Sequence, residues 1–304
     1  MSETLVESAT PVAFNEVEGA LTRETAKQKG SGGPARALTA TVVAVAPSAR
    51  LVDAVQPLLQ LGASGAIRGI LIPEGSAPAD TRVASNVVVL PGLPDHFIDN
   101  AVAALRLSSL PTVIWWRGGP TSVLDNLIRL ADRVILDADP PDEGWRCAVD
   151  RFERTSFTDV RWTRLTPWRA LMAQFFDLPE VQDGAGAFDR LCIEGADRPS
   201  AQLFAAWMRS ALQWGDNVTI EIQDSSGPAP INRISLTGGT QDLHLRLAKS
   251  HTCVESAMSA HTTAHGTSRV AWLGDESLVA LLSEELRIRS RDHAFEQALQ
   301  RVVS

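Results

Sequence analysis

Leu110-Pro-Thr-Val-Ile-Trp-Trp-Arg-Gly118, followed by Ser122–Ala131 and then by Asp132-Arg-Val-Ile-Leu-Asp137, decides the fold. The first run is short, β-branched and aromatic, and is bounded by proline and glycine, so Leu110 to Trp116 reads as a strand. Ser122 to Ala131 reads as a helix and Arg133 to Asp137 as a second buried strand. A strand, a helix of about three turns and another strand make a unit whose strands run parallel. The same alternation extends outward. Upstream lie strands over Ala37–Ala46, Ala66–Ile72 and Asn86–Leu90, with helices over Ala49–Leu61 and Asp95–Leu107, the latter capped by Asp95. Downstream come a helix over Pro141–Arg151 and an extended segment over Phe157–Trp162. The expected fold class is α/β: a Rossmann-like, mostly parallel sheet over residues 35–180, covered on both faces.

Residues 1–34 form a separate region. An acidic tail to about residue 11 is expected to be disordered, and Val12, Phe14, Val17, Ala20 and Leu21 give a weak amphipathic helix. Gly30-Ser-Gly-Gly-Pro34 reads as a flexible joint. It follows a helix and precedes a strand, the reverse of a phosphate loop, and lacks Gly-Lys-Ser/Thr. No G-x-G-x-x-G follows the first strand, so no dinucleotide cofactor is implied.

Residues 181–304 change texture. Phe188–Glu194 is strand-like, and Ala201–Trp214 is a helix bearing Leu203, Phe204, Trp207 and Leu212. Val218–Ile222, Ile231–Leu236 and Leu243–Leu247 then alternate apolar and polar residues, as antiparallel strands with one wet face do. Val270–Leu273 adds another strand, and helices near Glu276–Leu286 and Asp292–Val302 end the chain. A smaller α+β domain with a mostly antiparallel sheet is expected.

Composition limits the function. The chain has 28 Lys and Arg against 36 Asp and Glu, a net charge of −8, so no basic field favours nucleic acid or an anionic membrane. No apolar run approaches the roughly 20 residues of a membrane helix, and the acidic N-terminus is unlike a signal peptide. The expected location is the cytoplasm. Cys147, Cys192 and Cys253 are odd in number and far apart, neither a disulfide framework nor a redox pair.

Two clusters stand out as candidates. Trp115-Trp116-Arg117 lies at the carboxyl end of a parallel strand, where open sheets bind ligands. Adjacent strand residues point to opposite faces, so the two indoles should separate and Arg117 project from the rim. There it could grip a phosphate or carboxylate, or pair with an acid. The second cluster is Arg161-Trp-Thr-Arg-Leu-Thr-Pro-Trp-Arg169. Thr166 suits an N-cap and Pro167 the first helical position, with Trp168, Leu171, Met172, Phe175 and Phe176 at helical spacing. Arg117, Arg164 and Arg169 around one opening would form an anion site. His261 and His265 have metal-ligand spacing but sit in a stretch that reads as a loop with no neighbouring acid, so no metal is implied. Asp132, Asp137 and Asp139 have no His or Lys beside them, and no nucleophile elbow or catalytic-cysteine signature is present. The chain does not announce an enzyme.

Trp162-Thr-Arg-Leu-Thr-Pro-Trp-Arg169 with Phe175-Phe-Asp177, the Leu110–Gly118 strand and Asp132–Asp137 together resemble three motifs of the OpcA family of glucose-6-phosphate dehydrogenase assembly proteins. The resemblance covers roughly residues 105–180. It implies a non-enzymatic cytoplasmic partner that binds glucose-6-phosphate dehydrogenase and favours its active oligomer or conformation in the oxidative pentose phosphate pathway. Trp115, Trp116, Arg117, Trp162, Arg164, Thr166, Trp168 and Arg169 are the partner- or anion-binding candidates. The alternative is a sugar-phosphate-binding α/β protein, regulatory or enzymatic, using the arginines at the sheet's carboxyl edge. Self-association is left open by the sequence.

Overall fold

The computed structural model describes residues 9–30, 37–77, 79–215, 217–227, 229–239, 241–260, 263–288 and 290–304. Two compact units result: Met1–Val160 with Ser277–Arg291, and Arg161–Glu276 with Asp292–Ser304. Residues 1–8 of the acidic tail, 31–34 of the glycine joint and His261 lie outside the described residues; Gly30 instead ends a helix, and Thr10–Pro11, expected to be disordered, form a strand.

The first unit is built on an eight-stranded sheet. Its strands are β1 (Thr10–Pro11), β2 (Ala40–Pro47), β3 (Ile67–Glu74), β4 (Arg82–Ala84), β5 (Val87–Val89), β6 (Thr112–Trp116), β7 (Arg133–Leu136) and β8 (Ser156–Asp159). They lie in the order β1-β4-β5-β3-β2-β6-β7-β8. From β5 to β8 every pairing is parallel, and β4 and β1 add an antiparallel edge. The helices are α1 (Val17–Gly30), α2 (Leu51–Ala63), α3 (Asp95–Leu105), α4 (Thr121–Ile128) and α5 (Asp142–Val149). The central strands are buried along their length because both faces are covered: β2 reads Ala-Thr-Val-Val-Ala-Val-Ala with every residue buried before Pro47. Strand order reverses between β2 and β6, since the chain builds outward to β5 on one side and then returns to the other. That reversal opens a crevice at the strands' carboxyl ends. The α/β, Rossmann-like expectation holds, with the antiparallel edge as an addition.

At the junction, the extended segment expected to reach Trp162 stops at Asp159. A short helix α6 (Val160–Arg164) follows, then α7 (Thr166–Phe175) and α8 (Pro179–Asp183). Thr166 is not the cap: α7 already starts there, the N-cap position is Leu165 without a side-chain bond, and Pro167 sits one place further in. The reason is α6 itself, which delivers the chain in helical conformation, so no hydroxyl cap is called for. The sequence predicts a first domain that runs to residue 180; α7 packs instead on the second sheet, which places Arg161–Asp177 in the second unit.

The second unit has six strands: β9 (Arg190–Gly195), β10 (Thr219–Asp224), β11 (Arg233–Gly238), β12 (Gln241–Leu247), β13 (Cys253–Ala260) and β14 (Thr263–Trp272). Their order is β10-β9-β11-β12-β13-β14. Only β9 and β10 are parallel, joined through α9 (Arg198–Ala211). Leu191, Ile193, Ile234, Leu236, Leu243 and Leu245 fill the covered face, while the alternate positions Arg233, Arg246 and Glu255 form the wet one. Of residues 259–268, read from sequence as a loop, 259–260 and 263–268 lie in β13 and β14, which pair antiparallel. Polar Ser256 takes an inward position on β13 and hides the alternation. The closing helices are α10 (Leu278–Glu285) and α11 (His293–Val303). Of these α10 belongs to the first unit, where Leu281 and Leu282 join the core around β2 and α2.

Candidate functional site

The tandem tryptophans of β6 separate as the two-residue period requires. Trp115 enters the core with Val42, Ala44, Leu58 and Ile135, whereas Trp116 lines the crevice on the other side. Both are at most 1% exposed. Arg117 follows, and its backbone N–H still bonds Val45 O of β2 at 2.9 Å, which holds it at the strand end rather than in free loop. Gly118 and Gly119 then turn away with φ of 128° and 121°, a region that suits glycine.

Asp137, one residue past β7, receives this corner. Its Oδ2 accepts from Arg117 Nε at 2.8 Å and from Trp115 Nε1 at 3.2 Å. Arg117 Nη1 donates to Arg50 O at 3.0 Å, and the guanidinium carbon stands 4.9 Å over the Trp115 ring. Arg50, in the 3-10 turn Ser48–Arg50 after β2, pairs with Asp137 Oδ1 at 3.5 Å and donates to the carbonyls of Asp137 and Arg117. Burial lowers the Arg117 pKa from its ordinary value, with Asp137 pulling the other way. Residues of the Leu110–Gly118 and Asp132–Asp137 motifs are therefore joined through one buried carboxylate. Arg50 occupies the turn after β2 where a dinucleotide-binding sheet carries glycines, and it lines the crevice.

Arg164, Arg169 and the two other candidate tryptophans belong to the second unit. Trp162 is 2% exposed and donates from Nε1 to Asp292 Oδ2 at 2.7 Å, and its ring lies 5.7 Å from Phe295. Asp292 is also the N-cap of α11, its Oδ1 accepting from Phe295 N at 3.0 Å. Arg161 pairs at 3.2 Å with Asp197, the N-cap of α9. Two adjacent residues, Arg161 and Trp162, thus fix the starts of two helices. Arg169 lies 3.7 Å over the Trp162 ring, its Nη2 donating to Thr166 Oγ1 at 3.2 Å. Trp168 is buried at 3%. Arg164 is half-buried and its charge acts on Glu276, whose carboxyl burial raises above its usual range. Sequence reading misses Arg50 and the long-range bond of Asp292: Arg50 carries no local signal, and the Asp at the start of α11 shows a cap but not its tryptophan partner 130 residues away.

The cysteines are unpaired. Cys147 is buried, and burial pushes its thiol up to about 11. It should therefore alkylate with iodoacetamide far more slowly than an ordinary thiol at pH 8, because under about 1% is thiolate there; mass spectrometry of a pH series checks this, and its rate should climb only above pH 10. Among the described residues no helix is long and apolar enough to cross a membrane, and no group of three or more His, Cys, Asp or Glu could hold a metal ion.

The fold and these joined motifs define a two-unit α/β protein. Among solved structures it is similar to a 3-ketoreductase from Actinomadura kijaniata, in complex with NADP and TDP-benzene, which superposes with a TM-score of 0.54 at 11% identity, covering 88% of this chain and 95% of that one. That likeness establishes the fold alone. Residues 155–299 match the family model described as the C-terminal domain of the glucose-6-phosphate dehydrogenase subunit. Two similar relatives are both named OxPP cycle protein OpcA. One, from Synechocystis, is 28% identical over 146 residues, 44% of this chain and 31% of its own. The other, from Nostoc punctiforme, is 24% identical over 247 residues, 66% of this chain and 52% of its own. These matches support a kinship with the OpcA family over the second half of the chain. The chain spans roughly a third to a half of the length of these curated relatives.

Proposed function

We propose that this chain is a non-catalytic partner of glucose-6-phosphate dehydrogenase that binds the enzyme and favours its active oligomer or conformation. The observation that carries the reading is the match of residues 155–299 to a domain described by that dehydrogenase. The geometry supports it. Trp115, Arg117 and Asp137 are engaged with one another, as are Trp162, Arg169 and Asp292, so the motif residues maintain a shape rather than assemble an acid–base pair. Such a partner acts through its higher affinity for one state of the enzyme. The buried tryptophans contribute by presenting surface. Direct contact falls to the more accessible Arg164, Thr166 and Arg169, arginine being favoured at interface hot spots.

The test measures activity and oligomer size of the same organism's dehydrogenase with and without the chain. Activity should rise and the two should co-elute. An Arg164→Ala, Arg169→Ala double variant that stays folded should weaken this by about tenfold or more, the scale of a hot-spot loss. No binding and no activation, under reducing and oxidising conditions alike, would sink the reading.

A further inference from the structure

The crevice beyond the ends of β2, β6 and β7 encloses about 560 Å³, within the range of small-molecule sites of roughly 300–1,000 Å³. Its floor carries two guanidinium groups, Arg50 and Arg117, on one carboxylate, Asp137. The next acid to act on Arg117, Asp53, is exposed on α2 and screened by solvent. Arg117 is 2% exposed; its Nε and Nη1 are used, which leaves Nη2 with no acceptor among the described residues. Trp116, 1% exposed and lining the same space, has an indole N–H that likewise meets no acceptor among the described residues. Both residues line the crevice and these N–H groups have no protein acceptor among the described residues, so the floor suits acceptor oxygens and one negative charge.

The rim has the opposite character. Asp139, Asp142 and Glu143 are exposed there, against the single base Arg146. A dianion would meet repulsion on entry, whereas hydroxyl groups could donate to the rim carboxylates. A dinucleotide is disfavoured because Arg50 occupies the turn after β2, which carries no glycine to let a pyrophosphate approach.

We propose that this crevice binds a small hydroxylated monocarboxylate of sugar-acid size, its carboxylate seated on Arg117 and the Trp116 indole N–H. The site is independent of dehydrogenase binding. The test follows thermal unfolding of the full chain with D-gluconate, sorbitol, glucose 6-phosphate, inorganic phosphate or NADP⁺. Gluconate at about 10 mM should raise Tm by about 3 °C, the shift for a millimolar ligand on a chain this size; the neutral polyol, the dianions and the nucleotide should not. Trp116→Phe keeps an aromatic ring and removes the donor, so it should weaken gluconate binding about tenfold with the circular dichroism spectrum unchanged. Asp142→Asn with Glu143→Gln, on the exposed rim, should allow glucose 6-phosphate to stabilise the protein. Absence of a gluconate shift, an equal shift from sorbitol, or undiminished binding by Trp116→Phe would overturn the site. A rim variant still indifferent to glucose 6-phosphate would overturn the assignment of a monoanion.

Discussion

Asp137→Ala should lower the unfolding free energy by about 3–5 kcal/mol, the loss expected when one partner of a buried charge pair is removed. Three donors converge on that carboxylate: Arg117 Nε, Trp115 Nε1 and Arg50 Nη2. Arg117 is 2% exposed, so its charge would stay largely buried beside that of Arg50. The Arg50 share is small, since that side chain is 25% exposed. Urea unfolding monitored by tryptophan fluorescence measures the loss. Arg117→Met in the same background should recover part of it by removing the stranded cation. If Asp137→Ala costs under about 1 kcal/mol, in the range of a surface pair, the corner does not hold the sheet's carboxyl edge.

How much of this is legible in the sequence follows from the range of the interactions. The opposed faces of Trp115 and Trp116 are a local consequence of strand periodicity, and the sequence shows them. The pairing of Arg117 with an acid is foreseeable in kind, but the choice of Asp137 depends on the register of β6 against β7, where Trp116 lies beside Leu136. Nothing near Arg50 distinguishes it from an exposed arginine at a helix start; its role appears only when β2, β6 and β7 end side by side. The cap assigned to Thr166 fails for a related reason: the cap preference describes a chain entering a helix from extended backbone, and α6 removes that condition. Strand β13 escapes notice because alternation shows only when inward residues are apolar, and Ser256 is inward and polar. The parallel β9–β10 pairing needs the α9 crossover, which resembles an ordinary helix between hairpins.

Trp162→Ala should cost about 3–5 kcal/mol, the range for truncating a large buried aromatic. Three losses combine: the packing against Phe295, the support beneath the Arg169 guanidinium, and the donor to Asp292 Oδ2. Trp162→Phe separates them, keeping most of the packing and part of the cation–π contact while removing the N–H. It should cost about 1–3 kcal/mol, the penalty for a hydrogen bond to a charged group. The cost should be felt first at the start of α11, where Asp292 caps the helix, and amide exchange at Phe295 reports that end directly. This ordering bears on how the motif serves a partner. If Trp162→Phe loosens α11 and lowers dehydrogenase activation together, while a folded Arg169→Ala keeps activation, the motif acts by holding two helix starts in place. If Arg169→Ala abolishes activation without moving the exchange rate at Phe295, the guanidinium itself meets the partner, and the indole beneath it serves to aim that charge.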